Sequence, residues 1–264
     1  MSGLVVRLNA HRPEALADFY VQALGFEPAP GDGVLALTLG ASRLEIAACR
    51  GKPYPASVPG WSPLFQHFAM TTTDMAGAMA RLEQTSGWTP ISRGGPQRLP
   101  ANTGGVTAFK FRDPEGHPVE LIAFPDAPAD TPPRIDHSAI SVRDTAASFA
   151  FYEALGLVVG GRSLNQGPEQ DRLDGLDGVQ VEVTALQFPT GGAHVELLCY
   201  RGDYPRNSAP AAPDDVAATR LVWRATDADG VLKAFTSQAL SVDGSPGTRL
   251  FRDPDGHLLQ LVNA

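Results

Sequence analysis

Cysteine is scarce, with Cys49 and Cys199 the only 2 in 264 residues. They fall at matching points of two similar stretches, and so few thiols in a chain of cytoplasmic composition predict no disulfide. Long apolar runs are also missing. None reaches the roughly 18 residues a membrane helix needs, and the opening MSGLVVRLNA lacks the layout of a secretory leader, so a soluble cytoplasmic protein is expected. Basic residues are outnumbered, 21 Lys and Arg against 29 Asp and Glu, for a formal charge of -8. That balance, with no basic stripe to offset it, argues against nucleic acid or an anionic membrane surface as partner. Tryptophan is rare and scattered, and Trp61, Trp88 and Trp223 read as packing residues.

What the chain does have is repetition. At 43% hydrophobic it can bury a real core, and the search for internal similarity comes before any assignment of elements. FRDPEGHPVELIAF (Phe111 to Phe124) recurs as FRDPDGHLLQLVNA (Phe251 to Ala264). SRLEIAACRGKPYP from Ser42 recurs as AHVELLCYRGDYP from Ala193, and ADFYVQALGF from Ala17 as AFYEALGL from Ala150. The two halves, 1–125 and 133–264, are duplicates joined by the Pro- and Asp-rich PDAPADTPPR.

Each half divides again, into modules 1–60 and 61–125, then 133–210 and 215–264. FQHFAMTTTDMAGAMARL and IDHSAISVRDTAASFAFYEAL share one layout: an alternating strand, an Asp seven residues after the His, and a helix with apolar residues at three and four spacing. Asp74 and Asp144 stand where N-caps are wanted. The repeated DPxGH reads as a hairpin turn, with Pro pre-setting the second position and Gly tolerating the last.

Four βαβββ modules, the paired DPxGH hairpins and the FYxxALG helix ends resemble the vicinal oxygen chelate superfamily of glyoxalase I, methylmalonyl-CoA epimerase, extradiol dioxygenases and the fosfomycin and bleomycin resistance proteins. The resemblance implies an α+β fold of two cupped mixed sheets with flanking helices, in which first-strand and last-strand side chains meet one divalent metal. Its first-strand position holds Val5, His67, His137 and Arg220 in turn, and its last-strand position Glu45, Glu120, Glu196 and Gln260. Strand parity agrees: Val119 and Leu121 make the core face, so Glu120 points into the cup while His117 does not. The same parity sends Gln260 inward and leaves His117 and His257 as turn supports. In the outer cup, Arg220 beside Glu45 reads as an ion pair standing in for a metal.

Two pairings are open. Neighbours within each half could pair, which scatters the ligands, or the inner modules could pair together and the outer ones together. The second gathers His67, Glu120, His137 and Glu196 around one ion and explains the losses in the outer modules with one cause, so it is preferred. Two imidazoles and two carboxylates suit Zn, Ni, Co, Mn or Fe(II). The resemblance then implies a glyoxalase-like lyase or isomerase working by proton transfer on a small oxygen-chelating substrate, with Glu120 and Glu196 catalytic. The alternatives are an Fe(II) extradiol-type dioxygenase and a non-catalytic ligand-binding or resistance protein. Asn165, Gln170 and Arg172, in a polar excursion from Arg162 to Gly178 expected as a loop, are candidates to touch substrate, with Gly94 to Gly105 as the matching excursion. His194 shares parity with Glu196 and is a candidate to sit beside the metal and donate to one of its ligands. A monomer or homodimer is expected.

Overall fold

The computed structural model describes residues 4–31, 33–205, 209–225 and 248–263. The first module supplies β1 (Val5–Ala10), α1 (Pro13–Leu24), β2 (Glu27–Ala29), β3 (Leu35–Leu39) and β4 (Ser42–Ala48). The second supplies β5 (Gln66–Thr71), α2 (Met75–Glu83), β6 (Thr89–Pro90), β7 (Gln97–Arg98), β8 (Thr107–Arg112) and β9 (Pro118–Ala123). The third supplies β10 (Ile135–Ser141), α3 (Thr145–Ala154), β11 (Val158–Gln166), α4 (Pro168–Asp174), β12 (Gln180–Gln187) and β13 (His194–Tyr200). The fourth supplies β14 (Arg220–Ala225), β15 (Thr248–Arg252) and β16 (Leu258–Asn263); its expected helix lies outside the described residues.

Two mixed sheets result, and the fold is α+β as the sequence implies. Among the described residues, modules two and three share a nine-stranded sheet in the order β11-β12-β13-β10-β5-β9-β8-β6, with β7 paired on β8 off this path, and modules one and four share seven strands, β15-β16-β14-β1-β4-β3-β2. The joins are antiparallel pairs of first strands, β5 with β10 and β1 with β14. Inner thus pairs with inner and outer with outer.

The apolar cores follow the other division. One gathers β1, α1, β4, β5, α2, β8 and β9, all from the first half, with Ile135 added. The other gathers β10, α3, β13 and the strands of the fourth module, with Leu4 added. Each half therefore owns a core while lending its two modules to different sheets. In α1, Leu16, Phe19, Tyr20, Ala23 and Leu24 are buried at three and four spacing, and Gly25 ends the helix at φ 73°. Asp74 caps α2 through Gly77 N at 2.9 Å, and Asp144 caps α3 through Ala146 N at 2.8 Å.

The two most repetitive motifs touch each other. Tyr20 of α1 donates to Asp113 Oδ2 at 2.8 Å, and Tyr152 of α3 donates to Asp253 Oδ2 at 3.1 Å. His117 supports the first turn through Asp113 Oδ2 at 2.8 Å, and His257 binds Ser141 O at 2.9 Å. Both histidines are scaffold, as parity required. The excursion from Arg162 to Gly178 is a correction: it is the end of β11 followed by α4, not an open loop. Pro168 in the first turn, the acids Glu169 and Asp171 beside it, and Gly175 at φ 65° as terminator make that helix local in origin.

Candidate metal centre

The register of the inner sheet builds a two-fold arrangement. Ala69 lies opposite Glu120 on the parallel pair β5–β9, and Ala139 lies opposite Glu196 on β10–β13. Each His stands two residues before its module's Ala, hence on the same face. Across the antiparallel join His67 faces Ala139 and His137 faces Ala69. The two imidazoles are therefore diagonal neighbours, ring centroids 5.6 Å apart and edge to face.

All four expected residues line one cavity of about 300 Å³. They are not equivalent. His67, Glu120 and His137 offer ligand atoms that all lie within 4.8 Å of one another. His67 Nε2 is 2.8 Å and His137 Nε2 3.7 Å from Glu120 Oε2. Glu196 Oε2 is 3.6 Å from His137 Nε2, while its Oε1 lies 3.3 Å from His194 Nε2. Its side chain is 21% exposed against 7% for Glu120, so it forms the solvent-facing side of the cluster.

Asp136 was not anticipated, because its parity is opposite to that of His137. A β-bulge between Ile135 and His137 disrupts the alternation, and Asp136 Oδ2 accepts from His137 Nδ1 at 3.1 Å. With Nδ1 committed to Asp136, Nε2 is the nitrogen a cation would take, displacing the proton there. His137 Nε2 makes no hydrogen bond, and neither does either nitrogen of His67, whose contact with Glu120 lacks hydrogen-bond angles. Orphaned, buried imidazole nitrogens cost about 1–3 kcal/mol each. A divalent ion would satisfy those at the centre, and an N2O2 donor set of this kind fits one.

The charges in the cup shift one another strongly. Burial would raise the Glu120 carboxyl, but Lys110 directly across the strand pair, with His137 and His67, holds it well below the usual carboxylate range. Burial pulls His67 down, with Glu120 opposing it in part. Burial would lower His137 too, yet Glu196, Asp136 and Glu120 raise it well above the ordinary imidazole value. Lys110 is itself buried and paired with Asp174 Oδ1 at 2.7 Å. The sequence reading missed Lys110, although the alternation in FKF, with Phe109 and Phe111 in the core, marks it as inward-facing.

The sequence profile of the Glyoxalase/Bleomycin resistance protein/Dioxygenase superfamily matches residues 4–121 and 134–261. The chain belongs to this superfamily. No curated protein matches the sequence. Among solved structures, a mutant of maize (Zea mays) glyoxalase I aligns with 19% identity and TM-score 0.68 over 100% of this chain and 92% of its own. Unaltered maize glyoxalase I aligns at 18% identity and TM-score 0.63, again over 100% and 92%. A Bacillus subtilis protein provisionally named a dioxygenase aligns at 14% identity and TM-score 0.61, over 99% of this chain and 84% of that one. At such identities the likeness establishes the fold.

In the outer cup of this superfamily member the carboxylate is paired with arginines. Arg7, not Arg220, pairs with Glu45: Arg7 Nε and Nη2 lie 2.9 and 2.6 Å from Glu45 Oε2, and Arg43 Nε lies 2.9 Å from Oε1. Arg220 instead reaches Gln260 Oε1 at 3.3 Å and Pro213 O at 2.9 Å. The register explains the correction, since Arg7 is directly opposite Glu45 on β1–β4. It shares the parity of Val5, the residue to which the ligand pattern drew attention. The expected substrate-side residues divide as well. Asn165 and Gln170 line the inner cavity, together with Leu99, Thr103 and Gly104 of the matching excursion. Arg172 is spent on Gln97 Oε1 at 2.6 Å and Glu169 Oε1 at 3.3 Å, and so ties the two excursions together.

Proposed function

We propose that the chain is a metal-dependent glyoxalase-like enzyme of the lyase or isomerase type, acting by proton transfer on a small substrate that chelates through neighbouring oxygens. The observation that carries this reading is the convergence of buried, hydrogen-bond-deficient imidazoles with two carboxylates at the floor of one cavity. His67, Glu120, His137 and Glu196 would hold one divalent ion. When bound, it would polarise the substrate oxygens and stabilise negative charge left when a proton departs from carbon.

The protein's own groups divide the remaining work. Lys110 keeps Glu120 ionised, which suits a permanent ligand. Glu196, at the solvent-facing side of the cluster, is the carboxylate placed to take a proton from substrate, with His194 steadying its Oε1. Glu120, on the opposite side of the pseudo-two-fold, would stay ionised as a ligand, and Glu196 would return to the substrate the proton it took. Leu99, Val106 and Leu173 form a dry wall that keeps water from the reacting carbon.

A second reading is favoured by one feature. The tight set is His67, His137 and Glu120 alone, and two imidazoles with one carboxylate are the donors of an Fe(II) oxygenase. Metal analysis of the purified chain followed by two assays separates the readings. The first predicts turnover of methylglyoxal with a thiol and deuterium exchange at the substrate carbon. Oxygen uptake with a catechol under Fe(II), without such exchange, would replace it with the second.

A further inference from the structure

The cavity holds a polar feature that metal binding does not use. Asp174, at the end of α4, is buried and accepts from Lys110 Nζ at 2.7 Å, Gln170 Nε2 at 2.8 Å and the Tyr200 hydroxyl at 2.8 Å. An ionised carboxylate only accepts, so the Gln170 amide must turn its nitrogen toward it, and the amide orientation is fixed. The opposite end, Gln170 Oε1, has no hydrogen-bond partner, although Gln170 is 3% exposed and lines the cavity. Leu99, Leu173 and Val181 of the same lining are apolar and supply no side-chain donor.

We infer that Gln170 Oε1 recognises a hydroxyl or N–H on the body of the substrate, away from its chelating oxygens. A buried carbonyl without a donor is costly, and an entirely apolar substrate would leave it so. The substrate class is then a compact, largely apolar vicinal-oxygen compound carrying one further hydrogen-bond donor. It carries no additional anion, because the lysine that lines the cavity is already paired with Asp174. This inference rests on the metal reading above.

The test is calorimetric binding of benzohydroxamate, which chelates through adjacent oxygens, to the zinc-loaded full chain, beside its hydroxy, methoxy and carboxy derivatives at the 3 and 4 positions. At one ring position the hydroxy compound is expected to bind about tenfold or more tighter than its methoxy counterpart. Q170L should bring the hydroxy compound down to the level of the parent. Equal binding of the hydroxy and methoxy compounds to the natural chain, a preference that survives in Q170L, or tightest binding of the carboxy compound would overturn the inference. Failure of the parent hydroxamate itself to bind would sink the metal reading, and this one with it. The ligand series on the natural chain decides even if Q170L does not fold.

Discussion

Arg7 lies against Glu45 in the outer cup with Nη2 2.6 Å from Oε2, on the same pair of strand positions that Ala69 and Glu120 occupy in the inner cup. A guanidinium thus neutralises the carboxylate that a metal would otherwise compensate. Arg7→Ala leaves a nearly buried Glu45 with Arg43 alone, and should cost about 2 kcal/mol of stability. Thermal unfolding would register this as a lower Tm. The metal content of the protein should stay at its starting value, because the inner cup is untouched.

Asp136 lines the inner cavity and accepts from His137 Nδ1 at 3.1 Å. Asp136→Asn should weaken divalent-metal affinity by about 10- to 100-fold while the fold persists. Competition against a chelating dye measures it. Unchanged affinity would show that the bulge positions Asp136 for some other purpose.

His117 is buried between acceptors, Asp113 Oδ2 at 2.8 Å and Val216 O at 3.2 Å, and only the doubly protonated ring donates to both. Burial opposes the charge, but Asp113 and its hydrogen bond raise the imidazole above its ordinary value. A raised folded value means that the stabilisation is complete below the unfolded value of roughly 6.5 and is lost as pH climbs through the folded one. Denaturant titrations across that window should show stability declining with pH. His117→Gln should flatten this decline.

The pair of tyrosine contacts offers an internal control. Tyr20→Phe and Tyr152→Phe each remove one buried hydroxyl donor to an aspartate of a hairpin turn. Each should cost about 1 kcal/mol. Equal losses by chemical denaturation would confirm that the halves use the same tie. A loss in one half alone would mean that the repeat has diverged in function there.

The sequence by itself determined the modules, their caps and turns, and which side chains face a cup. These depend on short-range rules: alternation along a strand, apolar spacing along a helix, and Pro and Gly at fixed turn positions. The two-residue parity that placed His67, His137, Glu120 and Glu196 inward, and sent His117 and His257 to the turns, needs no partner strand. Only the tertiary structure decided which modules share a sheet, because strand pairing between distant segments depends on the whole core and not on local pattern. The same holds for Asp136, which a bulge carries across the face of the strand, and for Arg7, whose long side chain reached Glu45 from a position that parity alone could not rank above Val5. Lys110 owes its meaning to Asp174, a residue of another module, and no spacing along the chain could have announced that meeting.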